Sequence, residues 1–428
     1  MTDRLAKQQE KGTELRAGIA AGGSALAGFL LVPLLLSQLG MNFVGAYTAF
    51  ALTCLAGTLL MGFLHLPLLL MPSAAIGSSL VYLVGISQGI SWQQLLGINF
   101  AAASAGMLLF LSPWGQSVSD AVPRVVRRLM PAGLGVMLIF LGLVQGRIVI
   151  RSAWSVTMLG NFQDPLAYWG LAGTLLTLAM LAMKMRGALL YGFVLTAVFA
   201  LAEGFWAMPD APFLLPEGLD LTAGQLTLMA ETEKSVGQMA AAGLSLFVML
   251  CCVNWGCFCA LHPEKKRPER PLAAVFGIGV PGALLGSMVP VVSPLSAVGA
   301  MGGGRGRWTS LGMAAVFLLA LFCEPLVKSM TDFPAMIVPV LVGTGALLLQ
   351  ETAQKLRREK TAWELPEICA AISLLLIMPL SGSISAGIGT AVTGWCFLTA
   401  AGGGWRTIPK GTWFLSLCFV MYFAFAVI

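Results

Sequence analysis

Residues 289–305 read VPVVSPLSAVGAMGGGR and lie between hydrophobic segments. Pro290 and Pro294 lack the N–H that a continuous helix needs, and the serines and glycines beside them weaken it further. At membrane depth no water satisfies a freed backbone N–H or C=O, so an irregular stretch survives only where it is buried in protein or lines a cavity. The break is therefore a candidate site, and its reading decides the fold around it.

The chain that carries it has 428 residues, 57% of them hydrophobic and 10% charged, with a mean hydropathy of +0.85. A soluble domain has no interior large enough for so much apolar surface. Apolar stretches of about 18 to 25 residues recur along the chain, each long enough to cross a hydrocarbon core of about 30 Å. This is an all-α polytopic membrane protein. The opening MTDRLAKQQEKGTELR is charged and lacks a short apolar core with a small-residue cleavage site, so residues 1–14 read as a cytoplasmic tail.

Nine cysteines stand at 54, 251, 252, 257, 259, 323, 369, 396 and 418, where they read as small packing residues. The cysteines of CCVNWGCFC (251–259) lie within a hydrophobic segment and read as packing, so neither a metal nor a cofactor is expected. The net charge of +6 reflects basic loops and implies no nucleic acid. GIGVPG (277–282) fits the dinucleotide fingerprint, but inside a span it is close-packing glycine. His65 and His262 flank loops and read as surface or interface residues. With no Ser-His-Asp set, phosphate loop or zinc spacing, the chain does not read as an enzyme.

Spans fall at about 15–38, 41–63, 68–87, 91–113, 129–146, 165–184 and 187–207 in the first half. The second half gives about 236–260, 272–289, 291–304, 308–327, 333–350, 365–380 and 384–401, followed by a hydrophobic piece at about 411–428 that either spans or lies at the surface. The charges test this count, because cytoplasmic loops carry the excess of Lys and Arg. With the N-terminus inside, every loop after an even-numbered span is also inside. Those loops hold Arg124, Arg127, Arg128, Lys184, Arg186, Lys265, Lys266, Arg267, Arg270, Arg305, Arg307, Lys355, Arg357, Arg358, Lys360, Arg406 and Lys410. The longest outer loop, 208–235, holds Asp210, Glu217, Asp220, Glu231 and Glu233 against Lys234; Arg147 and Arg151 are the outer exceptions.

The opening stretch has a partner in LLLMPSAAIGSSLVYL (68–83), a short span broken at Pro72 and continuing through Ser73, Gly77, Ser78 and Ser79. Each break is the third span of its half. Halves of seven spans, an odd number, must lie inverted to one another, and paired breaks in inverted halves point to a transporter's binding site near the bilayer midplane.

MNFVGAYTAFALTCLAGTLLMG (41–62), GISWQQLLGINFAAASAGMLLFL (89–111), AVPRVVRRLMPAGLGVMLIFLGLVQGRIVI (121–150), the run from Leu272 to Leu326 and LPEICAAISLLLIMPLSGSISAGIGTAV (365–392) together resemble the AzgA-like purine permeases of the nucleobase/cation symporter family, relatives of the xanthine and uracil permeases. The resemblance covers most of the chain in order. It implies about fourteen spans in two inverted seven-span repeats, 15–207 and 236–401, joined by the outer loop 208–235, with 402–428 a C-terminal hydrophobic segment. It further implies a core domain of about 15–113 and 236–327, and a gate domain of about 129–207 and 333–401. The third and tenth spans are then half-helices whose short strands meet at the substrate. The implied protein is a homodimeric multi-pass transporter of the cytoplasmic (inner) membrane, surrounded by lipid, that moves a nucleobase-like small molecule with a proton.

This chain departs from the family's pattern at its acids. The family's eighth span carries a motif like F-x-D-T-x-G-T; here it reads FVMLCCVNWGCF (247–258), which puts Val253 and Asn254 at the acid and the threonine. The tenth reads SPLSAVG (293–299), with Leu295 at the second acidic position. Of the third span's A-P-G-M-G-L-N-A pattern, MPSAAIGS keeps the proline and general smallness. Glu324, near the outer end of its span with Lys328 one turn on, is the coupling candidate that remains. The candidate ligand contacts are Ser78, Ser79, Asn254, Ser293, Leu295 and Ser296, and the half-helix breaks are Pro72, Gly77, Pro294 and Gly299. Asn254 either binds a neighbouring helix or meets a ligand edge. The leading reading is a permease for a purine or similar planar heterocycle. The alternatives are a divergent paralogue moving another small compound or an anion without proton coupling, and a non-transporting scaffold or sensor.

The loop charges generate a direct test. Cysteine-accessibility labelling will find 264–270 and 355–360 on the cytoplasmic side and 210–230 outside. Labelling of both sets from one side overturns the span count.

Overall fold

The two proline-bearing breaks meet in the folded protein. The computed structural model describes residues 2–26, 29, 31–152, 157–185, 187–205, 207, 209, 211, 213–229, 233–262, 268–327, 333–359 and 363–426. In it Leu70–Pro72 and Pro290–Val292 form a two-stranded antiparallel sheet, with Leu70 opposite Val292, Met71 opposite Val291 and Pro72 opposite Pro290. Every residue of both strands is buried. A sheet this small has two open edges, and among apolar helices no solvent is available to satisfy them.

Side chains from the surrounding helices do so instead. On the first strand, Leu69 N–H donates to Ser296 Oγ at 2.9 Å and Leu70 N–H to Thr58 Oγ1 at 3.2 Å, while Leu69 O accepts from Ser293 N–H at 2.9 Å. Just before it, Leu66 O accepts from Ser310 Oγ at 2.5 Å. On the second strand, Val289 N–H donates to Asn99 Oδ1 at 3.2 Å and Val292 N–H to Asn254 Oδ1 at 2.8 Å. The prolines at both strand ends remove donors that would otherwise need partners.

The chain enters each strand from a helix that stops in a left-handed turn. Phe43–Phe63 starts on Asn42, whose side chain accepts from Gly45 N–H, and ends before His65 at φ 57°. Glu269–Leu285 ends at Gly286, φ +102°. A Cβ on Gly286 would lie 2.8 Å from Thr222, so both conformation and space demand glycine there. Beyond the strands the chain becomes helical again, as Ala74–Ser78 running into a π-helical stretch at Ser79–Ile86, and as Ser296–Met301.

Around this centre, Thr2–Leu26 packs along Arg307–Phe322, which packs on Phe43–Phe63; Glu269–Leu285 packs along Trp92–Leu111, which also meets Glu233–Leu261. A second group forms where Arg124–Gln145 lies along Val338–Glu359. Val338–Glu359 also touches Pro165–Ala182, and Arg124–Gln145 touches the segment 373–381. Among the described residues eight helices are long and apolar enough to cross a bilayer, with shorter apolar helices beside them.

Several expectations need adjustment. The first expected span, about 15–38, corresponds to the apolar helical stretch Glu10–Ser37, in which the helices Thr2–Leu26 and Leu31–Ser37 are described. The charged tail expected at 1–14 is the start of the helix Thr2–Leu26, because its Leu, Ala, Lys, Gln and Glu are strong helix formers. After Arg124–Gln145 two short strands, Val149–Arg151 and Thr157–Leu159, pair antiparallel, which the span count did not foresee. Arg147, one of the basic exceptions outside, pairs with Asp164 at 3.2 Å. The 411–428 piece is the helix Lys410–Ala426, packed on Ile384–Thr399 and on the short helix Trp114–Ala121.

Asn99 is fully satisfied, its Nδ2 donating to Leu95 O at 2.9 Å, so removing it strands a buried Val289 N–H. Asn99→Leu is expected to cost about 1–3 kcal/mol, measured as a lowered melting temperature in detergent. An unchanged melt shows that the strand is held without it.

Candidate functional site

Beside the strand pair lies a cavity of 430 Å³, within the roughly 300–1,000 Å³ range of small-molecule sites. The breaks contribute Met71, Pro72, Ser73, Ala74, Val291, Ser293, Pro294 and Leu295 to its lining. The second helix group contributes Met137, Leu141, Val144 and Gln145 from one helix, with Ile337, Leu341 and the turn at 379–382. The cavity thus sits where the two helix groups face each other. Among the described residues its polar lining consists of Ser24, Ser73, Gln145, Ser293 and Ser381, and none of the described lining side chains is titratable.

The helix that begins at Ala74 opens at this wall. Its first-turn amides have no acceptor four residues back, and they carry the partial positive charge of a helix N-terminus. Charged side chains gather instead in a separate cavity of 270 Å³, where Glu351 and Lys355 pair at 2.7 Å near His262 and Arg305.

The residues singled out in the sequence divide into groups. Pro72, Ser293, Pro294 and Leu295 line the cavity. Ser296 and Asn254 are fully buried behind it and bond the strands, as described above. Gly77 packs against Met288, Leu35 and Val32, and Gly299 against Met313 and Thr309, so both serve close approach. Ser78 lies one turn into the helix, its hydroxyl donating to Ala75 O at 3.0 Å, and it does not reach the lining. Ser79 starts the π-helical stretch, and its side chain lies outside the described residues. Val253 is buried. Glu324 is half-buried within electrostatic reach of Tyr47 and is not part of the cavity.

Three contributors were not selected from the sequence. Asn99 carries the same signal as Asn254, a mid-span amide, and deserved the same question. Ser73 sits next to the proline that makes the break. Gln145, at the end of its helix, looks interfacial until the fold turns it toward the cavity.

This is the architecture of a membrane transporter. The transmembrane domain of a cyanobacterial bicarbonate transporter, BicA, matches it with a TM-score of 0.53 at 15% identity, covering 87% of this chain and 96% of that one. The structure of SLC26A9 matches with a TM-score of 0.51 at 11% identity, covering 90% of this chain and 65% of that one. At these identities the likeness is one of fold alone. No protein-family model matches the chain. In sequence it is 27% identical to the guanine/hypoxanthine permease PbuO of Bacillus subtilis over 351 residues, which cover 78% of each protein. It is 25% identical to the guanine/hypoxanthine permease PbuG of the same organism, over 78% of this chain and 76% of that protein. The adenine permease AdeQ of Escherichia coli matches at 24% over 82% of this chain and 77% of its own length. The chain is a divergent homologue of these nucleobase permeases, in line with its resemblance to the AzgA-like group.

The division between lining and buried residues is testable. In a background lacking the native cysteines, Ser73→Cys and Leu295→Cys will react with a small thiol reagent, and Ser296→Cys will not. Equal reactivity at all three positions contradicts the cavity's placement.

Proposed function

We propose that this protein is a secondary transporter for a purine nucleobase or a similar small planar heterocycle, set in the cytoplasmic membrane with its N-terminus inside. The observation that carries the proposal is the cavity where the two broken helices face the second helix group. The named activities of the sequence relatives, guanine, hypoxanthine and adenine permeases, supply the substrate class. An anion, the other substrate class considered, would find no cationic side chain in this lining.

The proposal includes a fold of about fourteen spans in two inverted repeats. Its support is that contacts come in corresponding pairs. Thr2–Leu26 against Arg307–Phe322 mirrors Glu233–Leu261 against Trp92–Leu111, and Phe43–Phe63 against Arg307–Phe322 mirrors Glu269–Leu285 against Trp92–Leu111. An antiparallel strand pair is what a two-fold axis in the membrane plane produces. The first helix group acts as the core domain and the second as the gate. Relative movement of the two exposes the cavity alternately to each side, in a homodimer embedded in lipid.

Proton coupling through the protein requires a titratable group whose protonation follows the access state. Among the described residues the cavity lining has none, which leaves Glu324 as the coupling candidate, away from that lining. Uptake is therefore expected to depend only weakly on the proton gradient, and Leu295→Glu is expected to introduce pH dependence by placing a carboxyl at the cavity wall. The measurement is uptake of radiolabelled adenine, guanine, hypoxanthine, xanthine and uracil into cells lacking their own permeases. No uptake of any base overturns the function. Uptake that collapses with the proton gradient and is unaltered by Glu324→Gln overturns the coupling reading alone.

A further inference from the structure

The hydrogen-bonding groups in the cavity are not equally available. Ser24 Oγ donates to Ala21 O at 2.8 Å, and Ser381 Oγ donates to Met378 O at 3.3 Å. Ser293 Oγ accepts from Leu295 N–H at 3.3 Å. These hydroxyls each use part of their hydrogen-bonding capacity on local backbone, Ser293 keeping its O–H and Ser24 an acceptor. Ser73 and Gln145 make no side-chain hydrogen bond among the described residues. They come from different helix groups, Ser73 from the first break and Gln145 from the end of Arg124–Gln145.

Resting on the nucleobase reading above, we infer that Gln145 is a specificity-determining residue: its amide, with the Ser73 hydroxyl across the cavity, reads the hydrogen-bonding edge of an uncharged base. A primary amide offers a donor and an acceptor side by side. It therefore matches a lactam edge (N–H beside C=O) and, turned over, an amidine edge (ring N beside NH₂). A neutral lining favours neutral ligands, because an ion entering it would lose hydration with no opposite charge to replace it. The same pair places one contact on each helix group, so a base that satisfies both links the groups across the cavity.

The test uses an isosteric change. Gln145→Glu keeps the shape but, when ionised, presents acceptors only, so a lactam or amidine edge loses one of its two bonds and brings two acceptors face to face. Protonation restores a donor beside an acceptor, and in an apolar cavity the carboxyl protonates above the ordinary value for Glu of about 4.3. In proteoliposomes of the full-length chain, Gln145→Glu is expected to take up labelled hypoxanthine and adenine about 10- to 100-fold less well than wild type near pH 7.5, and to recover near pH 5. Ser73→Ala is expected to weaken uptake by about 3- to 10-fold with the wild-type pH profile. Recovery of Gln145→Glu at low pH supports the inference. A Gln145→Glu protein that matches wild type at both pH values, or is impaired equally at both, overturns it while leaving the permease reading intact. A wild-type protein that neither binds nor carries any base overturns the permease reading and this inference with it.

Discussion

The structure depends on one constraint: a backbone exposed among apolar helices must have its hydrogen bonds completed by protein. Two broken helices could not persist at this depth with open edges, since each stranded amide or carbonyl would cost about 1–3 kcal/mol or more. Pairing Leu70–Pro72 with Pro290–Val292 satisfies the inner edges, and Thr58, Asn99, Asn254, Ser296 and Ser310 serve groups that the pairing leaves over. Those five side chains come from elements in both halves of the chain. The site therefore cannot assemble from one half alone, and its geometry is fixed by residues that never touch the cavity.

The polar residues near the breaks thus do two different jobs. Ser296 and Asn254, buried completely, have their acceptor oxygens committed to strand amides. Ser73 and Gln145 face the cavity uncommitted. Sequence spacing alone does not separate the two jobs, because serines a few residues from a proline look alike until the helix start is known. Once Ala74 begins the helix, Ser73 precedes its first turn and lines the cavity. Ser78 then falls one turn up, bonded to its own helix.

Legibility in the sequence follows physical range. The membrane class and the paired breaks were readable because hydrophobic run length and proline placement are local signals. The meeting of the breaks was expected from their matched positions in the two halves, whereas the antiparallel register was not. What escaped were facts set by tertiary packing. The pairing of Val149–Arg151 with Thr157–Leu159 is set by strand register and not by local composition. Gln145 lies where a polar residue ordinarily marks the membrane interface, and only the approach of the two helix groups turns its position into a cavity wall.

The stretch that resembles the family's eighth-span motif serves the strand pair. The family pattern pairs an acid with a threonine; here the pair is Val253 and Asn254. A threonine hydroxyl and an asparagine carbonyl both accept hydrogen bonds, and Asn254 Oδ1 takes Val292 N–H at 2.8 Å. The acceptor that holds the second strand is therefore preserved in kind, although Asn254 Nδ2 is buried without a partner among the described residues. An acid at position 253 would carry charge into the membrane interior; Val253 instead joins the hydrophobic core. Leu295 makes the same exchange at the wall of the cavity, so both losses act in one direction. At this stretch the chain thus has a hydrogen-bond acceptor for the second strand and a buried apolar side chain where the resembled pattern has an acid, and the described lining of the cavity is likewise uncharged.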